Sequence, residues 1–173
     1  WLECKLVHSE WRPVPLSEGV YDQGVVTMQD NKKYEIQTSI RGPSVDLGLD
    51  SLNNGGQAIL FAETRTRSVS LATKTSEAVS KTLNNEEKET LEKISQKILD
   101  DNEHTELVKT LASLIKNGVA FHHAGLNSNC RDLIESEFRN KRIKILASTP
   151  TLAAGVNLPA RRVVIASLTR YDA

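Results

Sequence analysis

The amino-acid sequence predicts an α/β protein: an open parallel sheet with helices on both faces, preceded by a β-rich segment. Two observations support this fold class. From residue 57 onward, short apolar runs alternate with longer stretches of helical periodicity, as expected of a doubly wound sheet with right-handed crossovers. Residues 1–50 instead hold Val, Thr and Tyr between turn residues. We therefore predict a β-rich segment with a connector over residues 1–50 and a sheet-and-helix domain over residues 51–173.

In the N-terminal part, the pattern predicts two strands, over residues 20–28 and 33–38. Asp30 and Asn31 lie between them, and both side chains tolerate the backbone conformations of a tight turn. Residues 41–56 contain a proline and four glycines. Because Pro and Gly interrupt regular structure, we predict a connector or a loosely packed segment there.

The larger domain begins with residues 57–62, a short apolar run that suits a strand buried on both faces. A helix is predicted over residues 64–81. Asn85, followed by three glutamates, is a candidate N-cap of the next helix, because a helix N-terminus favours acidic side chains. Leucines and isoleucines then recur at helical spacing up to residue 115, and Gly118 suits a C-cap position.

Three further strands are predicted over residues 119–122, 143–148 and 163–167. Between the first two, Asn127 is placed to cap a helix that runs through Phe138 and buries its apolar side chains. The resulting order is strand, helices, strand, helix, strand, short helix and strand. That order predicts parallel pairing throughout the sheet.

The composition indicates a folded domain. Hydrophobic residues make up 39% and charged residues 25% of the chain. No apolar run reaches the roughly 18 residues that cross a membrane, and no basic start precedes an apolar stretch, so we predict a cytoplasmic protein without a membrane partner. A chain that opens on Trp1 rather than Met suggests an internal fragment. Cys4 and Cys130 lack metal-ligand spacing; two reduced thiols are the favoured interpretation, and a disulfide stays open.

Charge is balanced over the whole chain but not along it. Lys and Arg total 22, as do Asp and Glu, so no basic field covers the domain. Residues 84–110 hold eight acidic side chains and four lysines, whereas residues 131–173 hold eight basic side chains and four acidic ones. If the protein binds a polyanion, the C-terminal third is the expected surface. Two ordinary solvated faces are the alternative.

Polar segments follow three of the predicted strands. They are Glu63-Thr64-Arg65-Thr66-Arg67, His122-His123-Ala124-Gly125-Leu126, and the stretch from Ser148 through Asn157. Ligands of open parallel sheets bind beyond the carboxyl ends of the strands. Each segment combines hydroxyls or glycine with the start of a helix, whose free N–H groups suit phosphate oxygens. Their succession therefore predicts a phosphate-binding edge of the sheet.

Each segment also has a purely structural interpretation. Thr64 can serve only as a helix cap. His122 and His123 can form a core pair, and they lack the third ligand of a zinc site, so no metal site is predicted. Residues 148–150 can be a cap followed by proline at the first helical position.

These segments resemble the motifs of a known family. Motifs IV, IVa and V of the second motor lobe of DExH superfamily-two helicases are similar to ILFAETRTRS (residues 59–68), FHHAGL (121–126) and STPTLAAGVNLPARRVVI (148–165). The chain resembles in particular the archaeal DNA repair helicases of the Ski-like branch, whose two lobes are joined by a segment similar to SEWRPVPLSEGVYDQGVV (9–26). The resemblance covers nearly the whole chain and is weakest over residues 75–115. It implies a RecA-like fold for the larger domain.

The resemblance implies roles for individual residues. The residues expected to contact the nucleic-acid strand are Thr64, Arg65, His123, Ala124, Gly125, Thr149 and Pro150. The two threonine hydroxyls would bond phosphates, and backbone N–H groups of the loop around Gly125 would do the same. None of these contacts reads a base, as a translocating motor requires. Gly155 and Asn157 would lie beside ATP in the cleft between the lobes, although related helicases often have Asp at the Asn157 position.

Several parts of a complete motor are absent from the sequence. It contains no G-x-x-x-x-G-K-[ST] phosphate loop and no Asp-Glu-x-His run, which the family carries on its first lobe. The family's arginine motif follows motif V and would come after Ala173. The expected cofactors, ATP and Mg²⁺, would thus be bound mainly by the first lobe. We expect no ATP hydrolysis by this chain alone, because the main electrostatic stabilisers of phosphoryl transfer are missing.

The function implied by the resemblance is a DNA helicase that uses ATP to move 3′ to 5′ along single-stranded or forked DNA in repair or replication restart. Its partners would be that DNA, the first RecA-like lobe and the C-terminal domains of the same chain, and a replication or repair protein. Association with an archaeal nucleoid would follow. Three alternatives stay open: an RNA helicase of the same branch, a non-catalytic RecA-like interaction module, and a sugar-nucleotide transferase lobe, for which the sequence offers no acidic clamp.

Overall fold

The computed structural model describes residues 14–152 and 158–167, without the side chain of Thr151. The described residues form two compact units that divide between Ile36 and Gln37. Within the described ranges, the smaller unit holds a three-stranded antiparallel sheet, and the larger unit holds a four-stranded parallel sheet with five α-helices. The predicted boundary between residues 50 and 51 lies inside a helix of the larger unit.

The smaller unit consists of β1 (Gly19–Asp22), β2 (Val25–Met28) and β3 (Lys33–Glu35), paired in that order. The run predicted as one strand over residues 20–28 is therefore a hairpin, and that prediction is wrong. Gln23 and Gly24 adopt φ values of 44° and 90°. Positive φ at both central residues is the geometry of a two-residue hairpin turn, whose twist matches that of the flanking strands.

The turn predicted at Asp30 and Asn31 is confirmed. Asn31 adopts a φ of 63°, and its N–H donates to the Met28 carbonyl oxygen at 2.9 Å. Asn tolerates this left-handed conformation better than most residues with a side chain. The strand that follows ends at Glu35, three residues before its predicted end.

A helix, α1 (Pro43–Asn53), occupies the segment predicted as a connector or loosely packed stretch over residues 41–56, so that prediction is wrong. Proline stands at the start of the helix, where its missing N–H costs nothing. Gly48 lets α1 approach the sheet, because a β-carbon there would lie 3.0 Å from Ile145 Cδ1 and 3.5 Å from Leu60 Cδ2. Glycine here marks close packing rather than a loop.

Four parallel strands form the sheet of the larger unit: β4 (Ala58–Phe61), β5 (Val119–His122), β6 (Ile145–Ser148) and β7 (Arg162–Ile165). Their order across the sheet is β5-β6-β4-β7. All of β5 and β6 and most of β4 are buried, as expected of strands covered on both faces. The four strands predicted from the sequence are confirmed, each within two residues of its predicted bounds.

The helices connect the strands in the predicted order. They are α2 (Arg65–Ser80), α3 (Asn85–Asp100) and α4 (Glu106–Ile115) between β4 and β5, α5 (Ser128–Arg139) between β5 and β6, and a 3-10 turn (Pro150–Leu152) after β6. Thr64 and Asn127 cap α2 and α5. Asn84, not the predicted Asn85, caps α3, where it and Glu87 bond each other's backbone N–H in a capping box. None of the described helices is long and apolar enough to cross a membrane.

Helices cover both faces of the sheet. α1 packs on the face that carries Leu60 and Ile145, and it contacts α2. His122 points to the opposite face, because side chains alternate along a strand and the register places Phe121 on the Leu60 face. There the His122 ring contacts Glu135 of α5. This is the doubly wound arrangement predicted from the sequence.

A buried amide ties the start of β4 to the connection between α5 and β6. Gln57 is only 8% exposed, and its Nε2 lies 2.7 Å from the carbonyl oxygens of both Phe138 and Ile143. The amide has two N–H groups, so it can satisfy both oxygens at once. Without Gln57, the buried Ile143 oxygen at the amino edge of the sheet would lose its donor, and the Phe138 oxygen would keep only backbone donors such as Lys141 N–H.

Ion pairs attach the outer helices to the sheet. Lys144, just before β6, donates to Glu87 of α3 at 2.6 Å and thereby holds the pKa of that carboxyl below its ordinary value. Arg162 of β7 donates to Asp50 of α1 at 2.6 Å and to the Leu47 carbonyl oxygen at 2.8 Å. Part of the uneven charge along the sequence is thus neutralised by contacts between distant segments.

Replacing Gln57 by Ala should destabilise the fold. The substitution leaves the buried carbonyl oxygen of Ile143 without its donor, at about 1–3 kcal/mol, whereas the Phe138 oxygen still accepts the N–H of Lys141. We expect the free energy of unfolding to fall by about 1–3 kcal/mol in urea denaturation followed by circular dichroism. Gln96→Ala, at an exposed position of α3, is the control and should change it by less than about 0.5 kcal/mol. Equal stability of the two variants would contradict the role of the Gln57 amide.

Candidate nucleic-acid interface

The carboxyl ends of three strands bring the polar segments together. Ser148, the last residue of β6, is paired with both Phe61 at the end of β4 and His122 at the end of β5. The three strands therefore end at one level, and the segments that leave them lie side by side. The carboxyl rim is defined as residues 63–67, 123–125 and 149–150.

Hydrogen bonds lock β5 to β6 at this rim. Thr149 donates its N–H to the His122 carbonyl oxygen at 3.2 Å. The buried Ser148 hydroxyl lies 2.9 Å from the same oxygen and 3.0 Å from the Thr149 carbonyl oxygen, and with a single proton it donates to one of them at a time. On the other side, Ala62 donates its N–H to the Ser148 carbonyl oxygen at 2.8 Å. These bonds hold the three segments in a fixed relation to one another.

Thr64 is exposed at the rim and caps α2. Its Oγ1 accepts the N–H of Arg67 at 3.2 Å, and its own backbone is extended, with φ −127° and ψ 159°. A hydroxyl that accepts one hydrogen bond keeps its proton for another acceptor. Capping and phosphate binding are therefore compatible at Thr64, and the helix N-terminus beside it favours an anion.

The two arginines of this segment differ in their surroundings. Arg67 forms an ion pair with Glu63, and hydrogen bonds from Ser167 and from Arg67 hold the pKa of the Glu63 carboxyl below its ordinary value. Arg65 is exposed and forms no ion pair with any described residue. Its Nη1 lies 3.6 Å from the position that a β-carbon of Gly125 would take. Arg65 thus brings an uncompensated positive charge to the loop after β5.

His123 supports that loop from inside the protein. The residue is 3% exposed and stacks on Phe121, with ring centroids 5.2 Å apart and planes 14° apart. Its Nδ1 accepts the N–H of Gly125 at 3.0 Å, so this N–H is bonded within the protein. Burial lowers the pKa of His123, and the positive charge of Arg65 lowers it further. His123 is therefore neutral at pH 7 and shapes the loop as an acceptor.

The remaining predicted strand contacts divide between exposed and buried positions. Ala124, Gly125 and Pro150 are exposed at the rim. Thr149 is 7% exposed, and its N–H is already bonded across to β5. A β-carbon on Gly125 would lie 3.0 Å from the His123 ring, so only glycine lets the loop close over that ring without displacing it. The rim thus presents its backbone at Gly125 and its side chains at Thr64 and Arg65.

The predicted nucleotide contacts fall elsewhere. Gly155 and Asn157, the residues predicted to contact ATP, lie outside the described residues. Over the ranges that the structure describes, no three His, Cys, Asp or Glu side chains gather as metal ligands would.

Comparison with known proteins relates this chain to a family. Residues 95–172 match the helicase conserved C-terminal domain. Over 99% of its length the chain is 44% identical to the ATP-dependent DNA helicase Hel308 of Methanocella arvoryzae, 43% to that of Caldivirga maquilingensis and 41% to that of Pyrobaculum calidifontis. The chain belongs to the superfamily-two helicases. It is a second RecA-like lobe, and it spans 23% to 24% of the length of these relatives.

In this helicase lobe the structure also reveals a polar group that the sequence analysis missed. His122, considered only as a core histidine, contacts Glu135 on α5, next to Arg131. The signal available in the sequence was the four-residue spacing of Arg131, Glu135 and Arg139, which places all three on one face of a helix. Their relation to His122 depends on how α5 packs on β5.

Arg65→Ala should raise the pKa of His123 in the helicase lobe, because it removes a cation that disfavours the imidazolium. In the unaltered protein His123 should titrate below its ordinary value of 6.5. NMR titration of the imidazole resonances measures both values. Lys93→Ala removes one positive charge from the exposed side of α3 and should leave this pKa unchanged. An unaltered His123 pKa in Arg65→Ala would mean that the guanidinium does not face the ring.

Proposed function

We propose that this lobe is the second motor lobe of an ATP-dependent DNA helicase that moves 3′ to 5′ along single-stranded or forked DNA in repair or replication restart. One observation carries the proposal: β4, β5 and β6 end at the same level of the sheet. The exposed residues Thr64, Arg65 and Gly125 therefore lie in one rim. The relatives that share 41% to 44% of its residues bear the name of ATP-dependent DNA helicases.

The exposed groups of the rim suit phosphates rather than bases. Thr64 offers a hydroxyl at a helix N-terminus, and Arg65 offers a guanidinium without an ion pair among the described residues. At Ala124 and Gly125, which are exposed, no bulky side chain keeps a phosphate away from the main chain. Contacts to phosphates carry no sequence information, which is what a motor that tracks along any strand needs. A local rim of this kind also suits a chain whose net charge is zero, because it requires no basic field over the whole domain.

The proposed nucleotide site is the cleft between this lobe and the first RecA-like lobe. Gly155 and Asn157 would line it from this side, and the phosphate loop and the Mg²⁺ ligands would come from the first lobe. ATP hydrolysis supplies the energy of the cycle. The two lobes would close and reopen in each cycle, so that each grips the strand in turn. This chain alone would then have no ATPase activity.

The partners in this proposal follow from the same layout. The relatives extend well beyond this lobe, which leaves room for a first lobe and C-terminal domains in the same chain. The DNA strand would lie against the carboxyl rim, and a replication or repair protein would recruit the enzyme. The proposed location is the cytoplasm, in association with the nucleoid.

ATP hydrolysis by the full-length protein tests the proposal. The rate should rise mainly with single-stranded oligodeoxythymidine, compared with no nucleic acid and with oligouridine of the same length. Stimulation mainly by oligouridine would assign the protein to the RNA helicases of the same branch. Absence of stimulation by either would contradict a motor and favour a non-catalytic interaction module.

Arg65→Ala in the full-length protein should weaken binding to single-stranded DNA equally for all base sequences. Loss of one phosphate contact should reduce the steepness of log K against log salt concentration by about 0.7. Fluorescence anisotropy with homopolymers at several salt concentrations measures this slope. Lys93→Ala, with the same change of charge on α3, should leave it unaltered. A loss of affinity confined to one base sequence would contradict backbone binding.

A further inference from the structure

α5 carries a stripe of alternating charge beside the apolar face that it buries. Arg131, Glu135 and Arg139 follow one another at intervals of four residues, which places them on one face of the helix. Glu135 Oε1 lies 3.1 Å from His122 Nε2, and Glu135 Oε2 lies 3.4 Å from Arg139 Nη2. Glu135, in the middle of the stripe, therefore reaches the buried ring of His122 at the end of β5.

Arg131 is the member of this stripe nearest the carboxyl rim. α5 follows β5 and leads to the parallel strand β6, so it starts beside the rim and runs back along the sheet. Four residues of α-helix span about 6 Å. Arg131 therefore lies about one helical turn closer to the rim than Glu135, and unlike the ring of His122 it is partly exposed.

Two polar atoms at this place are buried without a hydrogen-bond partner among the described residues: His122 Nδ1 and Arg131 Nε. The Arg131 guanidinium also forms no ion pair with a described residue, although the next arginine of the stripe pairs with Glu135. Buried polar groups in folded proteins nearly always have a hydrogen-bond partner, so two buried polar atoms without one at the same place need a physical explanation.

Glu135 sets the proton position on His122. A carboxylate only accepts hydrogen bonds, so His122 Nε2 carries the proton and Nδ1 presents a lone pair. Burial lowers the pKa of His122; the Glu135 carboxylate raises it, and the Arg131 cation lowers it again. The ring therefore stays neutral. The lone pair on His122 Nδ1 can accept a hydrogen bond, and the buried Arg131 Nε–H is a donor without an acceptor.

We propose that Arg131 is a further phosphate-binding residue of the helicase lobe and that His122 and Glu135 position it. With a phosphate bound, Arg131 Nε–H would donate to His122 Nδ1, two atoms that have no partner among the described residues, while His122 Nε2–H donates to Glu135. This relay would turn the two Nη groups toward the carboxyl rim, where they would match two oxygens of one backbone phosphate. The inference rests on the proposed function, because it assumes that a nucleic-acid strand lies along the rim.

The salt dependence of DNA binding by the full-length protein tests this role. Arg131→Gln keeps much of the side-chain length but removes the charge. With single-stranded oligodeoxythymidine it should lower affinity about tenfold and reduce the steepness of log K against log salt by about 0.7. Arg131→Lys restores the charge and should restore the slope, with affinity between the two. Lys141→Gln is the matched control, because Lys141 lies in the turn after α5 at the opposite edge of the sheet, and both quantities should stay unchanged.

Glu135→Ala separates positioning from simple charge. Removal of a carboxylate from a DNA-binding surface would by itself strengthen binding. If Glu135 orients Arg131 through His122, the variant should instead bind more weakly, and it should cause no further loss in the Arg131→Gln background. Tighter binding by Glu135→Ala, or equal losses in both backgrounds, would overturn the positioning role.

Comparison with Arg65→Ala distinguishes failure of this inference from failure of the proposed function. If Arg65→Ala flattens the salt dependence and Arg131→Gln does not, the rim binds the strand and only the role of Arg131 is wrong. If neither variant changes the slope, the strand does not lie on the rim and both proposals fail. Urea unfolding of each variant shows whether it is folded. If Arg131→Gln is not, Arg131→Lys carries the test through affinity, which should fall at an unchanged slope; an unchanged affinity would overturn the role of Arg131.

Discussion

The level at which the parallel strands end is the constraint on which the rest of this lobe depends. Ser148 pairs with both Phe61 and His122, so the segments after β4, β5 and β6 leave the sheet together. A slip of one residue in either pair would turn every side chain of one strand to the other face and move its segment by about 3.3 Å. The bonds of Ser148 at one edge and of Gln57 at the other therefore stabilise the register itself, and the rim exists because the register holds.

In this lobe, the ion pairing of individual side chains matters more than the net charge. Arg67, Lys144 and Arg162 are each held by a carboxylate, and so they contribute to the fold more than to an outward field. Arg65 and Arg131 have no such partner in the part of the chain that the structure describes, and both belong to elements that begin at the carboxyl edge. A domain of zero net charge can in this way present cations to a phosphate backbone while its other charges stay compensated.

Much of the fold could be predicted because its signals are local. The apolar runs of the four strands and the capping residues Thr64 and Asn127 act within a few positions of themselves. The prediction failed where the decisive contact is remote or depends on the backbone alone. Gly48 looks like an interruption until Ile145 packs against it, and the hairpin at Gln23 and Gly24 interrupts a run of strand-forming residues through positive φ values that composition does not reveal.

By itself the sequence determined the order of strands and helices and the polar segments that follow each strand, because hydrophobic periodicity and capping are properties of neighbouring residues. Only the tertiary structure decided which arginines are free and which are neutralised. Arg65 and Arg67 stand two residues apart, yet one pairs with Glu63 and the other faces Gly125 across the rim. Arg162 finds Asp50, over a hundred residues away. Such partners are chosen by the sheet order β5-β6-β4-β7 and by the packing of helices upon it, and no local pattern carries that information.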